Sequence, residues 1–298
     1  MATTETRNER ALGLQSLPDA EVLARLLDGQ RAAARSVAAA IPAIEAAAIV
    51  AADAIASGHR LAYAGAGSSG LMALADALEL AGTFGIPPDR TPALIAGGAE
   101  TLLALANAAE DAADEAVAAV ARLALGPGDA LIGVSASGTT PYTLAVADAA
   151  RTGGARVIGI ANVAGCRLLR SADVAVLLDS GPELVAGSTR MGAATAQKIA
   201  LNMISTLMGL RLGHVHDGYM VNLVADNAKL RGRAARIVAA VAGAREDAAR
   251  AALDTTGGAI KPAILVAAGA GGRDDADRLL AASGGHLGPA LDALRGEG

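Results

Sequence analysis

Between Arg60 and Leu178 the sequence switches repeatedly from a short, unbroken apolar run to a longer helical stretch. The apolar runs are Arg60–Ala66, Ala93–Ala96, Ala130–Ser135, Arg156–Ala161 and Val174–Leu178, and the helical stretches are Ser69–Ala81, Glu100–Leu123, Pro141–Thr152 and Thr189–Arg211. Strands separated by helices form βαβ units and a parallel sheet with helices on both faces. The runs lack polar alternation, as strands covered on both sides require. The expected fold is therefore α/β, a three-layer αβα sandwich around a parallel sheet. Upstream, Asp19–Ser57 is rich in Ala, Leu and Arg and reads as helix, with Pro42 breaking it in two. Downstream of Gly213 the strand signal fades. Val221–Ala251 reads as one long helix, and Ile260–Leu294 as shorter ones separated by glycine clusters. The expected division is residues 1–57 as an N-terminal arm and helices, 58–215 as the sheet domain, and 216–298 as an all-helical C-terminal appendage.

Composition narrows the function classes. With 53% hydrophobic and 18% charged residues, general disorder is excluded. The four aromatic residues (Tyr63, Phe84, Tyr142 and Tyr219) give no platform for stacking bases. A net charge of −5 gives no electrostatic reason for a polyanionic partner, so no nucleic acid is expected. Cys166 is the only cysteine; it allows neither an intrachain disulfide nor a thiolate metal cluster and fits a reducing, cytoplasmic setting. The polar start, with Glu5, Arg7, Glu9 and Arg10, is unlike a signal peptide. Val37–Ala52 is interrupted by Glu45 and reads as a core helix rather than a membrane span. His214 and His216 read as exposed loop histidines rather than metal ligands.

Two loops carry chemistry. Gly65-Ala66-Gly67-Ser68-Ser69-Gly70 lies between the first strand and its helix. Its GxGxxG spacing suggests a dinucleotide, but the next strand runs into Ala96-Gly97-Gly98 and offers no acid for a ribose until Glu100. Backbone N–H groups at a helix start, with Ser68 and Ser69, suit a phosphate monoester instead; a plain glycine turn with a serine cap is the competing reading. Ser135-Ala136-Ser137-Gly138-Thr139-Thr140-Pro141 repeats the context, with Pro141 at a first helical position. Ser135, Ser137, Thr139 and Thr140 are more hydroxyls than a cap needs, at the sheet edge where such folds bind ligands. Neither loop carries a P-loop lysine. A phosphorylated small molecule is the expected ligand.

The SxSGxT loop resembles that of the sugar isomerase (SIS) family of phosphosugar-binding domains. Further motifs are similar to those of the N-acetylmuramic acid 6-phosphate etherase family. Thr4–Asn8 resembles its TExRN arm; Gly65–Gly70 its GAGTSG, with Ser68 for Thr; Asp76–Glu79 its DASE; and Thr83–Gly85 its TFG. Ala109–Asp111 and Ser135–Tyr142 follow at the family's spacing. Gly181–Glu183, Gly187–Met191, Thr195–Lys198 and Leu201–Met203 resemble its GPE and its GSTRMKxGTAQKxxLNM signature, and Asn227–Leu230 a later element. The chain departs from the pattern at Leu71, where the family has Arg, and at Gly192, where it has Lys.

The resemblance implies a lyase that removes lactate from N-acetylmuramic acid 6-phosphate in cytoplasmic cell-wall sugar recycling. It implies a homodimer with no cofactor, no metal and no membrane partner. The reaction cleaves an ether at C3 of the open-chain sugar. A base takes the C2 proton, an acid protonates the leaving oxygen, and water adds back at C3. By the resemblance Glu79 is the acid and Glu110 the base, whereas composition alone reads Glu110 as part of a solvated acidic face. Two carboxyls kept in different protonation states need burial or mutual repulsion. Glu183, Ser188, Thr189, Arg190 and Lys198 are the remaining expected substrate contacts, with Arg190 and Lys198 placed on one helix and Ser188 and Thr189 serving both as its cap and as pocket wall. An aldose–ketose phosphosugar isomerase would share the C2 deprotonation, and a non-catalytic sugar-phosphate regulator would share only the binding.

Overall fold

A computed structural model describes residues 3–98 and 107–296. The expected helical residues 100–106 lie outside the described residues. The chain forms two compact units, one of residues 1–78 and 89–207, the other of residues 79–88 and 208–298.

In the first unit, α1 (Asp19–Ser36) and α2 (Ile41–Ala56) are joined by a 3-10 turn at Val37–Ala40. As expected, the run is two helices, and Pro42 marks the start of the second. It occupies the first turn of α2, where its missing N–H has no helical acceptor to lose. Residues 19–56 form the one stretch, among those described, that is long and apolar enough to cross a membrane, yet Ile44, Ala47, Ala48 and Val50 are buried inside the protein. The strands follow as β1 (Leu61–Gly65), β2 (Ala93–Ile95), β3 (Ala130–Ser135), β4 (Arg156–Ala161) and β5 (Val174–Leu177). All pair in parallel in the order β2-β1-β3-β4-β5. The intervening helices are α3 (Gly67–Phe84), α4 (Ala113–Leu123), α5 (Pro141–Thr152) and α6 (Arg167–Ser171), and α7 (Gly192–Arg211) follows β5.

Strand side chains alternate between the two faces, and both faces are covered. Ala62, Ala64, Leu131 and Val157 pack with Ala116 and Val120 of α4 and with Leu144, Val146 and Ala147 of α5. On the opposite face the fully buried Tyr63 donates its hydroxyl hydrogen to Asp76 Oδ2 of α3 at 3.0 Å. Asp76 Oδ1 accepts from Asn202 Nδ2 at 2.9 Å and from Ser205 Oγ at 3.0 Å, both on α7. One buried carboxylate therefore ties β1, α3 and α7 together. Burial pushes the Asp76 carboxyl up, and the three donated bonds oppose that. The result is the αβα sandwich expected from the strand–helix alternation.

The second unit corrects the all-helical expectation. β6 (Val215–His216) and β7 (Tyr219–Met220) form an antiparallel hairpin. Asp217 and Gly218 both have positive φ, at 47° and 78°, the conformation favoured by two-residue hairpin turns. Tyr219 of this hairpin is 41% exposed. The stretch expected as one helix is two, α8 (Ala228–Ala242) and α9 (Glu246–Thr255), because Gly243 adopts the left-handed conformation that ends α8. α10 (Ile260–Ala267), α11 (Arg273–Ala282) and α12 (Leu287–Arg295) complete the unit. His214 is not an exposed loop residue: it is half-buried and bonded to the Phe84 carbonyl. Burial first, then the charges of Lys261 and His286, lower its pKa to about 4. His216 sits in β6, its side chain 22% exposed.

Candidate functional site

The sheet order reverses direction between β1 and β3, whose connections leave on opposite sides. In open α/β sheets such a switch point leaves a crevice at the carboxyl ends of the strands. Gly65, at the end of β1, is in register with Val134, one residue before the end of β3. The two hydroxyl-bearing loops therefore emerge side by side.

The first loop is compressed against its helix. A Cβ on Gly65 would lie 2.9 Å from Gly70 Cα and N, so strand end and first helical turn touch backbone to backbone. Gly67 begins α3 at φ +51°, and a Cβ there would lie 2.7 Å from Glu110 Oε1. The Glu110 carboxylate thus rests against the α3 N-terminus, whose first turn carries Ser68 and Ser69. Glu110 is half-buried; burial, then the neighbouring Asp111 charge, pushes its pKa up.

The second loop is built from its own hydroxyls. Ser135 Oγ accepts from Gly138 N at 3.0 Å and shares a hydrogen bond with Thr140 Oγ1 at 2.8 Å. Ser137 Oγ accepts from Thr139 N at 3.2 Å and from Thr139 Oγ1 at 3.0 Å. Pro141 then opens α5. Gly138 (φ +65°) fits tightly: a Cβ there would lie 2.0 Å from Cys166 Sγ. Cys166, buried, thus floors the loop. The loops combine hydroxyls, backbone amides at helix starts and a half-buried carboxylate, a set suited to a phosphorylated, polar molecule.

Among proteins of known name, the chain is 45% identical to an N-acetylmuramic acid 6-phosphate etherase from Deinococcus radiodurans, over 90% of this chain and 88% of that one. It is 42% identical to a protein of the same name from Streptomyces avermitilis, over 98% and 94%. The chain belongs to the N-acetylmuramic acid 6-phosphate etherase family. Residues 28–162 match the family model of the SIS domain. A phosphoheptose isomerase structure from Francisella tularensis shares the fold, with a TM-score of 0.50 at 17% identity, covering 65% of this chain and all of that one.

Against the etherase pattern, the remaining expected residues fall into two groups. Glu183, Ser188 and Thr189 gather before α7. Glu183 is buried, and its Oε2 and Oε1 accept from Gly192 N at 2.9 Å and Ala193 N at 2.8 Å. Glu183, rather than Ser188 or Thr189, caps α7. Its negative charge at that end also suits the helix dipole. The N-terminal arm braces this segment: Thr4 O accepts from Gly187 N at 3.1 Å, and Asn8 Nδ2 donates to Pro182 O at 2.9 Å. Two motifs about 180 residues apart in sequence are thereby in contact. Glu183, Gly192, Asn8, Gln30 and Ser180 line a pocket of about 200 Å³. At Gly192, where the family pattern has Lys, a side chain would fit only tightly: a Cβ would lie 3.1 Å from Glu183 Oε2 and 3.3 Å from Ala33 Cβ, so these neighbours would have to give way by a few tenths of an ångström.

The second group is exposed. Arg190 precedes α7 rather than lying on it with Lys198; the helix starts only at Gly192. Both side chains are exposed, as is Glu79 on α3. The larger cleft, about 1060 Å³, lies wholly within the second unit, lined by Asn222, Arg231, Arg250 and Gly258 among others, and none of the expected residues lines it. Chemistry, rather than size, marks the site at the switch point.

Proposed function

We propose that this chain is a carbon–oxygen lyase that converts N-acetylmuramic acid 6-phosphate to N-acetylglucosamine 6-phosphate and D-lactate. The observation that carries the reading is the Glu110 carboxylate at the Gly67 turn, beside the hydroxyl loop after β3, in a chain 45% identical to a named etherase. The phosphate binds at the two loops, through Ser68, Ser69, Ser135, Ser137, Thr139, Thr140 and the backbone amides at the helix starts. Thr189, Ser188, Arg190, Lys198 and Glu183 serve the rest of the sugar, with Glu183 acting through its cap of α7.

With the sugar in its open-chain form, the C2 proton lies next to an aldehyde. Glu110 removes it. Its raised pKa suits a base working near neutral pH. Electrons from the resulting enolate expel the lactyl oxygen from C3 as Glu79 protonates it. Glu79 then takes a proton from water as the water oxygen adds at C3, and Glu110 returns its proton to C2. Each carboxyl finishes the cycle in its starting state.

The same reading includes cytoplasmic work in the recycling of cell-wall amino sugars, and a homodimer. Leu78, 69% exposed next to Glu79 on α3, is the kind of apolar side chain an interface covers. Incubating the purified chain with N-acetylmuramic acid 6-phosphate and measuring lactate tests the activity. Lactate release that is abolished by Glu79→Gln and by Glu110→Gln supports it. Tight sugar-phosphate binding without lactate selects a regulator, and conversion of an aldose phosphate to its ketose selects an isomerase.

A further inference from the structure

The second loop does not hold its shape alone. Asn162 follows β4 and is 1% exposed. Its backbone N–H donates to Ala136 O, in the middle of the second loop, at 2.9 Å. Its side-chain Nδ2 donates to Leu178 O at 2.9 Å and to Ser180 Oγ at 3.2 Å, beyond β5. Its Oδ1 accepts from Gln197 Nε2 at 2.9 Å, and Gln197, on α7, is fully buried. One residue therefore joins the connections after β3, β4 and β5 to α7, its backbone N–H reaching the first and its side chain the others. The sheet itself does not need this link, since its register with β3 already ends at Ala161 opposite Ser135.

We propose that Asn162 is a positioning residue for phosphate recognition. The proposal rests on the reading that the second loop takes the phosphate. The side chain fixes the backbone of residue 162 at three points, and that backbone fixes Ala136. Ser135, Ser137 and Thr139 flank Ala136 and turn their hydroxyls inside the same loop. A site held in its bound geometry before the ligand arrives spends less binding energy on ordering, and small displacements of positioning groups have large kinetic effects. Asn162 touches no reacting atom in this account. Its loss acts most on the phosphate, because Ala136 lies between two hydroxyls of the phosphate loop, and less on the rest of the sugar, which it reaches only through Ser180 and Gln197.

The distinguishing readout is the ratio of affinities for N-acetylglucosamine 6-phosphate and N-acetylglucosamine, measured by titration calorimetry on the full chain. Asn162→Ala weakens the phosphorylated sugar roughly tenfold, the equivalent of one well-placed hydrogen bond, and changes the affinity for the unphosphorylated sugar by less than about threefold. In turnover, KM rises by a similar factor while kcat at saturation stays within about threefold. A defect in packing alone would not alter the ratio. Should Asn162→Ala fail to fold, Gln197→Met decides. That change orphans Asn162 Oδ1 but removes Gln197 Oε1, a buried acceptor without a partner among the described residues, so the number of unpaired acceptors stays constant. It raises the Kd for the phosphorylated sugar by about threefold with an unchanged melting temperature. An unchanged ratio in the folded variant, or a fall in kcat at constant KM, overturns the proposal. A wild-type chain that binds the sugar phosphate but releases no lactate overturns the lyase reading alone; one that binds no sugar phosphate overturns both.

Discussion

Replacing Gly138 with alanine adds two separable penalties. Gly138 has φ +65°, and a left-handed conformation costs an L-residue roughly 1–2 kcal/mol. The new methyl would also stand 2.0 Å from Cys166 Sγ, 2.7 Å from Cys166 Cβ and 3.2 Å from Ala161 Cβ. Overpacking of that kind adds about 1–3 kcal/mol, for a total of roughly 2–5 kcal/mol. Gly165, the chain neighbour of Cys166, is the control: its φ is +63° and, among the described residues, nothing lies within 4 Å of its Cβ position, so Gly165→Ala carries only the conformational term. Chemical denaturation of both variants, and of Gly138→Ala combined with Cys166→Ala, separates the terms. Removing the sulfur relieves part of the steric penalty but none of the conformational one, so the double-mutant cycle shows a positive coupling of about 1 kcal/mol or more. Gly138→Ala also weakens sugar-phosphate binding, because the loop must move to admit the methyl. A Gly138→Ala variant no less stable than Gly165→Ala, or a cycle without coupling, refutes the packing of the loop on Cys166.

Three further outcomes follow from the same geometry. Asp111→Asn removes the charge that, after burial, pushes the Glu110 pKa up; the acidic limb of the kcat/KM profile then moves to lower pH, and a limb that stays put or moves upward contradicts the assignment of Glu110 as base. Glu183→Gln takes the charge from both bonds to the α7 N-terminus and lowers stability by about 1.5–3 kcal/mol, read by urea denaturation. His214 has a folded pKa of about 4 against an unfolded value of 6.5, so the unfolded chain binds the proton first as the pH falls. Its stabilising contribution is complete above about pH 6.5 and lost towards pH 4, and the melting temperature of His214→Gln should change less across that window than that of the wild type.

The five strands were legible because a strand buried on both faces needs an unbroken apolar run, and each begins or ends within a residue or two of its run. The hairpin after Gly213 escaped because its strands are two residues long, too short for a hydrophobic period; its Asp217-Gly218 turn was the signal present. Gly243 likewise marked the break between α8 and α9. The hydroxyls of the second loop stood out as a cluster because they lie within six residues. Glu110 was different. Its contact with Gly67 spans 43 residues, and only the resemblance to the etherases singled it out from the acidic residues around it. The Glu183 cap could not be read either, since a carboxylate nine residues before a helix reaches its amides only if the intervening chain folds back. Asn162 left no local trace: its partners lie on three different elements. Of the four aromatic rings, Tyr63, Phe84 and Tyr142 are buried as core supports, while Tyr219 is exposed on the hairpin.

Elimination followed by hydration at C3 predicts where the oxygen of water ends up. The full chain is incubated with N-acetylmuramic acid 6-phosphate in ¹⁸O-labelled water, and both products are weighed by mass spectrometry. Elimination and hydration place one heavy oxygen at C3 of N-acetylglucosamine 6-phosphate and none in the hydroxyl of the released lactate. Label in that lactate hydroxyl, or a sugar product without label at C3, contradicts this route.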